Sequence, residues 1–325
     1  MFTKMRLHHV NNQNHPKQLL IPSKGPCKYF RTIDCETPKV GLSVNRSIPF
    51  EANCDEMSII ASFHGLVCVA IDNLQPRIGW YKDIILWNPL TGEYKTLPTD
   101  NMHLNGFTTH ATGFGLYYSC CDDDYKLLRV TVYKDAFIYS LKSDSWWKVE
   151  SSSCRLLKSW NSSCFLNEDL YFLAAAVNKI NDWSYSIIRF DTKVEKFTEI
   201  AAPSLEVVGK CRRSLTVVSG CVHLCVSSVG ITSADKLELW KMDGDGEWTK
   251  VVSCCHTLFK YMDNQPLHLM KNGNWLVGSA DERYAYEVDL EMKTRKRVRT
   301  KTPTDGPVRL LWGGKFVETI VSLNK

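Results

Sequence analysis

The sequence predicts an all-β fold built from repeated four-stranded antiparallel units. Three observations carry that expectation. Short apolar or alternating runs are punctuated by turn residues along most of the chain. One stretch, Ser58 to Pro98, reads strand, tight turn, strand, long loop, strand, turn, strand. The same plan then returns four more times. The register can be counted from the first bulky or strand-opening position after each outer turn, at Tyr94, Trp146, Phe197, Trp248 and Arg295. The intervals are 52, 51, 51 and 47 residues. A four-strand unit recurring every ~50 residues is the period of kelch-like β-propeller blades.

Taken in order, residues 1–16 are polar and read as a flexible arm, leaving 17–325 as the propeller domain. Leu19 to Ile21 and Tyr29 to Ile33 read as short strands on either side of the breaker run Pro22 to Pro26. In the first full unit an inner hairpin turns at His64-Gly65. The continuously apolar Leu66 to Ile71 then reads as a strand buried on both faces. Asp83 to Trp87 and Glu93 to Leu97 form an outer hairpin around Asn88-Pro89-Leu90-Thr91-Gly92, where Pro89 presets one dihedral and Gly92 tolerates a positive φ. The second unit spans Thr112 to Val149. The third starts at Ser162 and turns at Asn167-Glu168; the fourth starts at Ser214 and turns at Ser219-Gly220. The fifth starts at Leu267 and turns at Asn272-Gly273, a strong hairpin signal between apolar runs. Residues 17–57 and 305–325 remain, and the tail reads as two strands around a Gly turn at Gly313-Gly314. Pairing strands from the two ends gives a closed ring of about six blades and protects the terminal sheet edges. An open β-sandwich array is the alternative, although a sandwich need not keep so regular a period.

Composition narrows the function classes. With 44% hydrophobic and 23% charged residues the chain is ordinary for a globular protein, so disorder is not the default. A net charge of +5 is too mild to argue for a nucleic-acid partner. The N-terminus lacks a signal-peptide core, and no run approaches the ~18 apolar residues of a membrane helix. A cytoplasmic or nuclear protein without a membrane partner is expected, with its thirteen Cys reduced and mostly acting as core hydrophobes. The sequon matches at Asn45 and Asn161 are then fortuitous.

In a four-stranded up-and-down sheet the A–B and C–D turns lie at one end and the B–C and D–A connections at the other. Here the latter are the longer set: Asp72 to Lys82, Thr99 to Ala111, Glu150 to Asn161, Ala175 to Tyr185, Ala201 to Arg213 and Ser253 to Pro266. Long loops on a rigid scaffold commonly carry binding. These contain Arg77, Trp80, Tyr81, Trp160, Trp183, Tyr185, Arg212, Arg213, Phe259 and Tyr261, residue types favoured as interface anchors. Some of these rings could instead tuck between blades.

Enzyme signatures are missing. No nucleophile elbow, phosphate-binding glycine loop or zinc-protease motif occurs. Gly113-Phe114-Gly115 sits in a strand and lacks a third glycine. Propeller hydrolases aim carboxylates at the channel; among the inner strands only Glu168 and Asp169 qualify, and they sit at a turn. Asp144, Asp191 and Asp289 fall at outer turns, where Asp bonds its own backbone. Cys221, His223 and Cys225 alternate along one strand at ~7 Å spacing, which suits core packing better than one zinc ion. Cys254-Cys255-His256 reads as a loop with diverging side chains. Asp122-Asp123-Asp124 lacks the ligand spacing of a calcium site and reads as a solvated turn. No catalytic activity, metal or cofactor is expected. Lys293 to Lys301 holds six basic residues in nine, and reads as a solvated outer strand or an import patch.

These pieces, in this order, resemble a known family. SFHGLVCV, IILWNPLTGEYKTLP, ATGFGLYY, DDDYKLLRV, IYSLKSDSWWKV, IIRFDTKVEKFTEI, ELWKMDGDGEWTKV and FVETIVSL resemble the plant F-box-associated interaction domain, over about residues 17–323. The resemblance implies a non-catalytic substrate-recognition module of an SCF-type ubiquitin ligase, whose partners are target proteins. In such receptors an N-terminal F-box binds a Skp1-type adaptor. Phe2 to His8 resembles the stretch that follows an F-box, and the motif itself, with its Leu-Pro start, is missing from this chain. Adaptor binding is therefore expected only if an F-box is supplied upstream. The alternatives are a free-standing or decoy interaction propeller and a propeller enzyme.

Overall fold

The computed structural model describes residues 17–22, 26–38, 46–53, 56–72, 81–98, 112–131, 135–150, 163–177, 183–204, 211–228, 236–255, 265–278, 285–289, 291, 294–298, 308–316 and 321–323. Among them regular structure is all strand. The chain opens with β1 (Lys17–Pro22), β2 (Tyr29–Asp34) and β3 (Arg46–Ser47). Next come β4 (Met57–Phe63), β5 (Leu66–Asp72), β6 (Tyr81–Trp87) and β7 (Tyr94–Thr96), which form one antiparallel sheet. A second sheet holds β8 (Thr112–Ser119), β9 (Asp124–Thr131), β10 (Ala136–Ser140) and β11 (Ser145–Val149). A third holds β12 (Ser163–Leu166), β13 (Asp169–Val177), β14 (Trp183–Asp191) and β15 (Lys196–Ala201). The next holds β16 (Cys211–Val218), β17 (Cys221–Ser228), β18 (Lys236–Met242) and β19 (Trp248–Cys255). The last consecutive set is β20 (Gln265–Leu269), β21 (Trp275–Gly278), β22 (Ala285–Asp289) and β23 (Thr294–Val298). Finally β24 (Val308–Phe316) pairs antiparallel with β1, giving a sheet of order β24-β1-β2-β3. The described strands thus make six four-stranded sheets, five from consecutive strands and one from both ends of the chain.

The turns follow from their residues. His64-Gly65, Asn167-Glu168 and Ser219-Gly220 have positive φ at both central positions (46° and 82°, 50° and 67°, 47° and 71°). That is the mirror-image turn whose twist matches a two-residue hairpin. The apolar run after the first of these, Leu66 to Ala70, is 0% exposed, so β5 is buried on both faces. In the outer turn of that sheet the buried Asn88 side chain accepts from the amides of Leu90 (2.9 Å) and Thr91 (3.4 Å).

Several expectations need correction. The tail does not turn at Gly313-Gly314: β24 runs unbroken from Val308 to Phe316. The pairing with β1 instead shifts register between Gln18 and Leu20, so the glycine pair marks a bulge. Strands also run further than apolar runs suggest. Ala175 pairs with Tyr185 and Val177 with Trp183, Arg212 pairs with Ser227, and Cys254 pairs with Leu237. Backbone ladders thus continue through residues that the sequence reading placed in loops.

The chain divides into two compact units. Unit one comprises residues 1–109, 267–288 and 296–325, and unit two residues 110–266 and 289–295. In unit one Trp87, 0% exposed, is met edge-on by Phe30 at 4.8 Å and Phe50 at 5.6 Å. A smaller cluster joins Ile33 and Cys35 to Leu276, Ala285 and Val298. In unit two Tyr117, Leu128 and Ile138 pack with Leu170, Phe172 and Phe190, so the second sheet rests on the third. The contact is close at Gly115, where an added Cβ would lie 2.6 Å from Leu170 Cδ1. Tyr171, Leu173 and Ile187 pack in turn with Leu215, Leu224 and Val226 of the next sheet.

Candidate protein-interaction site

In unit two the strands are joined at one end by the tight turns 120–123, 141–144, 167–168, 192–195, 219–220 and 243–247. The opposite strand ends are those between which the chain runs its longer stretches, β9 to β10 being the short exception in sequence. Near this second end Tyr185, at the start of β14, meets Arg213, at the start of β16. The Arg213 guanidinium carbon lies 3.5 Å from the Tyr185 ring centroid. Both side chains are half-buried. The stack needs two sheets: β14 carries the ring and the first strand of the next sheet carries the cation.

The pairing register extends this site across the sheet. Arg213 is opposite Val226, Val226 opposite Glu238, and Glu238 opposite Ser253, so these residues share a face. Glu238 is 0% exposed. Its carboxylate accepts from Lys250 Nζ at 3.3 Å and from Trp240 Nε1 at 3.2 Å. The Lys250 ammonium sits 4.7 Å from the Trp240 ring centroid. A buried carboxylate persists only when paired and hydrogen-bonded, and both conditions are met. An Arg cation this close over an aromatic ring is attracted by the ring's negative face.

The remaining expected contact residues fall into two groups. Tyr81, Trp183 and Arg212 lie on β6, β14 and β16 rather than in loops, because each is paired in a ladder. Tyr185 and Arg213 are likewise strand residues. Arg77, Trp80, Trp160, Phe259 and Tyr261 lie outside the described residues. Glu238 was not singled out from the sequence. Its signal was an acid between two leucines in the strand Leu-Glu-Leu-Trp.

The other polar clusters resolve into local structure. Asp122 pairs with Lys126 and accepts from the Ser119 hydroxyl at 2.9 Å. Asp123 takes the Tyr118 hydroxyl, and Asp124 accepts from the Lys142 amide at 3.0 Å. Three neighbouring carboxylates therefore engage three different partner sets. Asp191 accepts from the amides of Lys193 and Val194, as an outer-turn Asp should. Asp144 accepts from the Tyr139 hydroxyl at 2.7 Å. His223 Nδ1 lies 3.1 Å from the Cys221 carbonyl oxygen, and burial pushes the Cys225 thiol up to about 12. Cys254 and Cys255 belong to β19 and not to a loop. Asp169 receives Arg189 Nε at 2.8 Å, yet burial holds its carboxyl above the usual range. Among the described residues no three His, Cys, Asp or Glu side chains converge on a possible metal position.

The chain matches the F-box associated beta propeller domain over residues 19–308. It is 25% identical to the F-box protein CPR1 of Arabidopsis thaliana over 255 residues, covering 67% of this chain and 60% of that protein. It is 27% identical to the Arabidopsis thaliana F-box protein At1g11810 over 164 residues, 48% of this chain and 41% of that one. The chain thus spans 60% and 41% of the length of these two relatives. Among solved structures, the periplasmic gluconolactonase PpgL of Pseudomonas aeruginosa is similar at 10% identity and a TM-score of 0.44, over 91% of this chain and 99% of that one. Likeness at that level carries no functional argument. The match over residues 19–308 does: this chain belongs to the F-box associated β-propeller domain family.

Proposed function

We propose that this chain is the target-recognition module of an SCF-type ubiquitin ligase receptor, without catalytic activity of its own. Each of the six sheets is a blade of a kelch-like propeller. The long-connection end of the blades is the docking face, and the working compartment is the cytoplasm, the nucleus or both. The observation that carries the reading is the Tyr185–Arg213 contact, which places an aromatic ring and a cation together at that end. Aromatic and Arg residues anchored in this way dominate protein interfaces. The family supports the role, since its named relatives are F-box proteins. A Skp1-type adaptor joins the assembly through an F-box, and a chain lacking one acts as a free-standing or decoy binder.

The test is proximity labelling in plant cells with the wild-type chain, Arg213→Ala, and Val194→Asp as a control in a tight turn at the opposite end of the strands. Arg213→Ala is expected to lose a discrete set of labelled proteins that Val194→Asp retains. Identical labelling by all three proteins contradicts the assignment of the docking face.

A further inference from the structure

β23 is the outermost strand of its sheet, and among the described residues no strand pairs with its outer edge. Thr294, Arg295, Lys296 and Arg297 are all exposed, and only Val298 is buried. Successive strand residues face opposite sides, so this strand shows basic side chains on both faces. Other outer strands differ. In β15, Phe197 and Ile200 turn inward, and the exposed charges mix Lys196 with Glu199. In β11 both Trp146 and Trp147 are half-buried. The charge on β23 has one sign, and its run from Lys293 to Lys301 contains no acidic residue. The carboxylates on the neighbouring strand and turn are Glu287, Asp289 and Glu291. Glu287 is engaged by the side-chain amides of Asn272 at 3.2 Å and Asn274 at 2.8 Å.

We propose that β23 is a docking edge for an acidic segment of another protein, bound as an added strand. This proposal does not rest on the target-recognition reading. Mixed charges suffice to blunt an edge strand against aggregation. A single-sign ladder goes further: it repels a second copy of itself, because like charges opposite one another destabilise a strand pair, and it favours a strand of opposite sign. An extended acidic peptide repeats its side chains every ~7 Å per face, the same spacing as β23, and its backbone can complete the ladder on the outer edge. Single-stranded nucleic acid cannot form that ladder and relies on stacking rings; the exposed residues Thr294 to Arg297 offer none. A linear import signal needs its strand released, whereas β23 is hydrogen-bonded to β22.

The experiment is fluorescence anisotropy with a labelled peptide of alternating Glu and Val, about ten residues long. It is compared with the same peptide N-methylated at alternate amides, and with an oligothymidylate of equal charge. The proposal expects the unmodified peptide to bind, and Arg295→Glu/Arg297→Glu to weaken binding about tenfold or more. Lys296→Glu, on the other face, weakens it less and serves if the double variant loses its cooperative melt. N-methylation is expected to weaken binding about tenfold, because it removes ladder hydrogen bonds while keeping charge. Absence of peptide binding, indifference to N-methylation, tighter binding of the oligothymidylate, or indifference to charge reversal each overturns the proposal.

Discussion

The two compact units secure their tight turns by different means. In unit one the polar contacts reach far along the chain. Asn88 Nδ2 donates to the Val321 carbonyl at 2.7 Å, and Glu93 accepts from the Ser322 hydroxyl at 3.1 Å and the Leu323 amide at 3.0 Å. Glu36 accepts from the Lys271 amide at 2.8 Å and lies 2.6 Å from His268 Nε2. Burial alone would raise the Glu36 carboxyl, but His268 and the Lys271 amide outweigh it and hold it below its ordinary value. In unit two the contacts are mostly local: Asp122 with Lys126, Asp124 with Ser140, Glu168 with Lys193. The difference follows from the chain's path. Unit two is nearly one continuous segment, so its sheets follow one another along the chain. Unit one is assembled from three separated segments, and ordering them costs loop-closure entropy that the polar latches offset.

Three perturbations probe that contrast. The largest effect is expected in unit two from Gly115→Val, because β13 already approaches the site of the missing Cβ within 2.6 Å. A loss of about 3 kcal/mol is expected in denaturant unfolding, and a loss within experimental error would mean that the second and third sheets do not pack as described. Next is Asn88→Ala, which leaves a turn and the Val321 carbonyl without their partner and is expected to cost about 2 kcal/mol. Hydrogen exchange should then rise in peptides 84–98 and 308–323 before it rises in unit two; a uniform rise would show that the latch is not specific to unit one.

The smallest effect concerns pH. Burial depresses His64 from 6.5 to about 4. Its neutral form is therefore the one the fold holds: stability is fully present above pH ~6.5 and falls as pH drops towards 4, because the unfolded chain takes up the proton first. The ring is only part-buried, so the expected loss is about 1–2 kcal/mol. His64→Asn suits the left-handed φ of 46° and removes that titration. It should flatten the profile, and an unchanged slope would assign the dependence to other groups.

The same contrast explains what the sequence discloses. Two-residue turns such as His64-Gly65 and Ser219-Gly220, and the buried run Leu66 to Ala70, are local events whose residue types announce them. The pairing of the chain ends was legible too, from leftover strand signals at both termini. Strand ends were not: the polar start of β16 at Cys211 to Ser214 is ordered by the neighbouring ladder rather than by its own composition. The latches of Asn88, Glu93 and Glu36 link residues more than 200 positions apart and leave no local trace. At the candidate site, Tyr185 and Arg213 were legible as residue types, but their contact was not, because it depends on how adjacent sheets register.

The most direct measurement is site-specific photo-crosslinking in plant cells, with the photoreactive residue placed at Tyr185 in one variant and at Val194 in another. Docking at the long-connection end predicts discrete crosslinked partners from position 185 and none shared with position 194, with the 185 adducts lost when Arg213 is also changed to Ala. Adducts that form equally from both positions, or that survive Arg213→Ala unchanged, would contradict it.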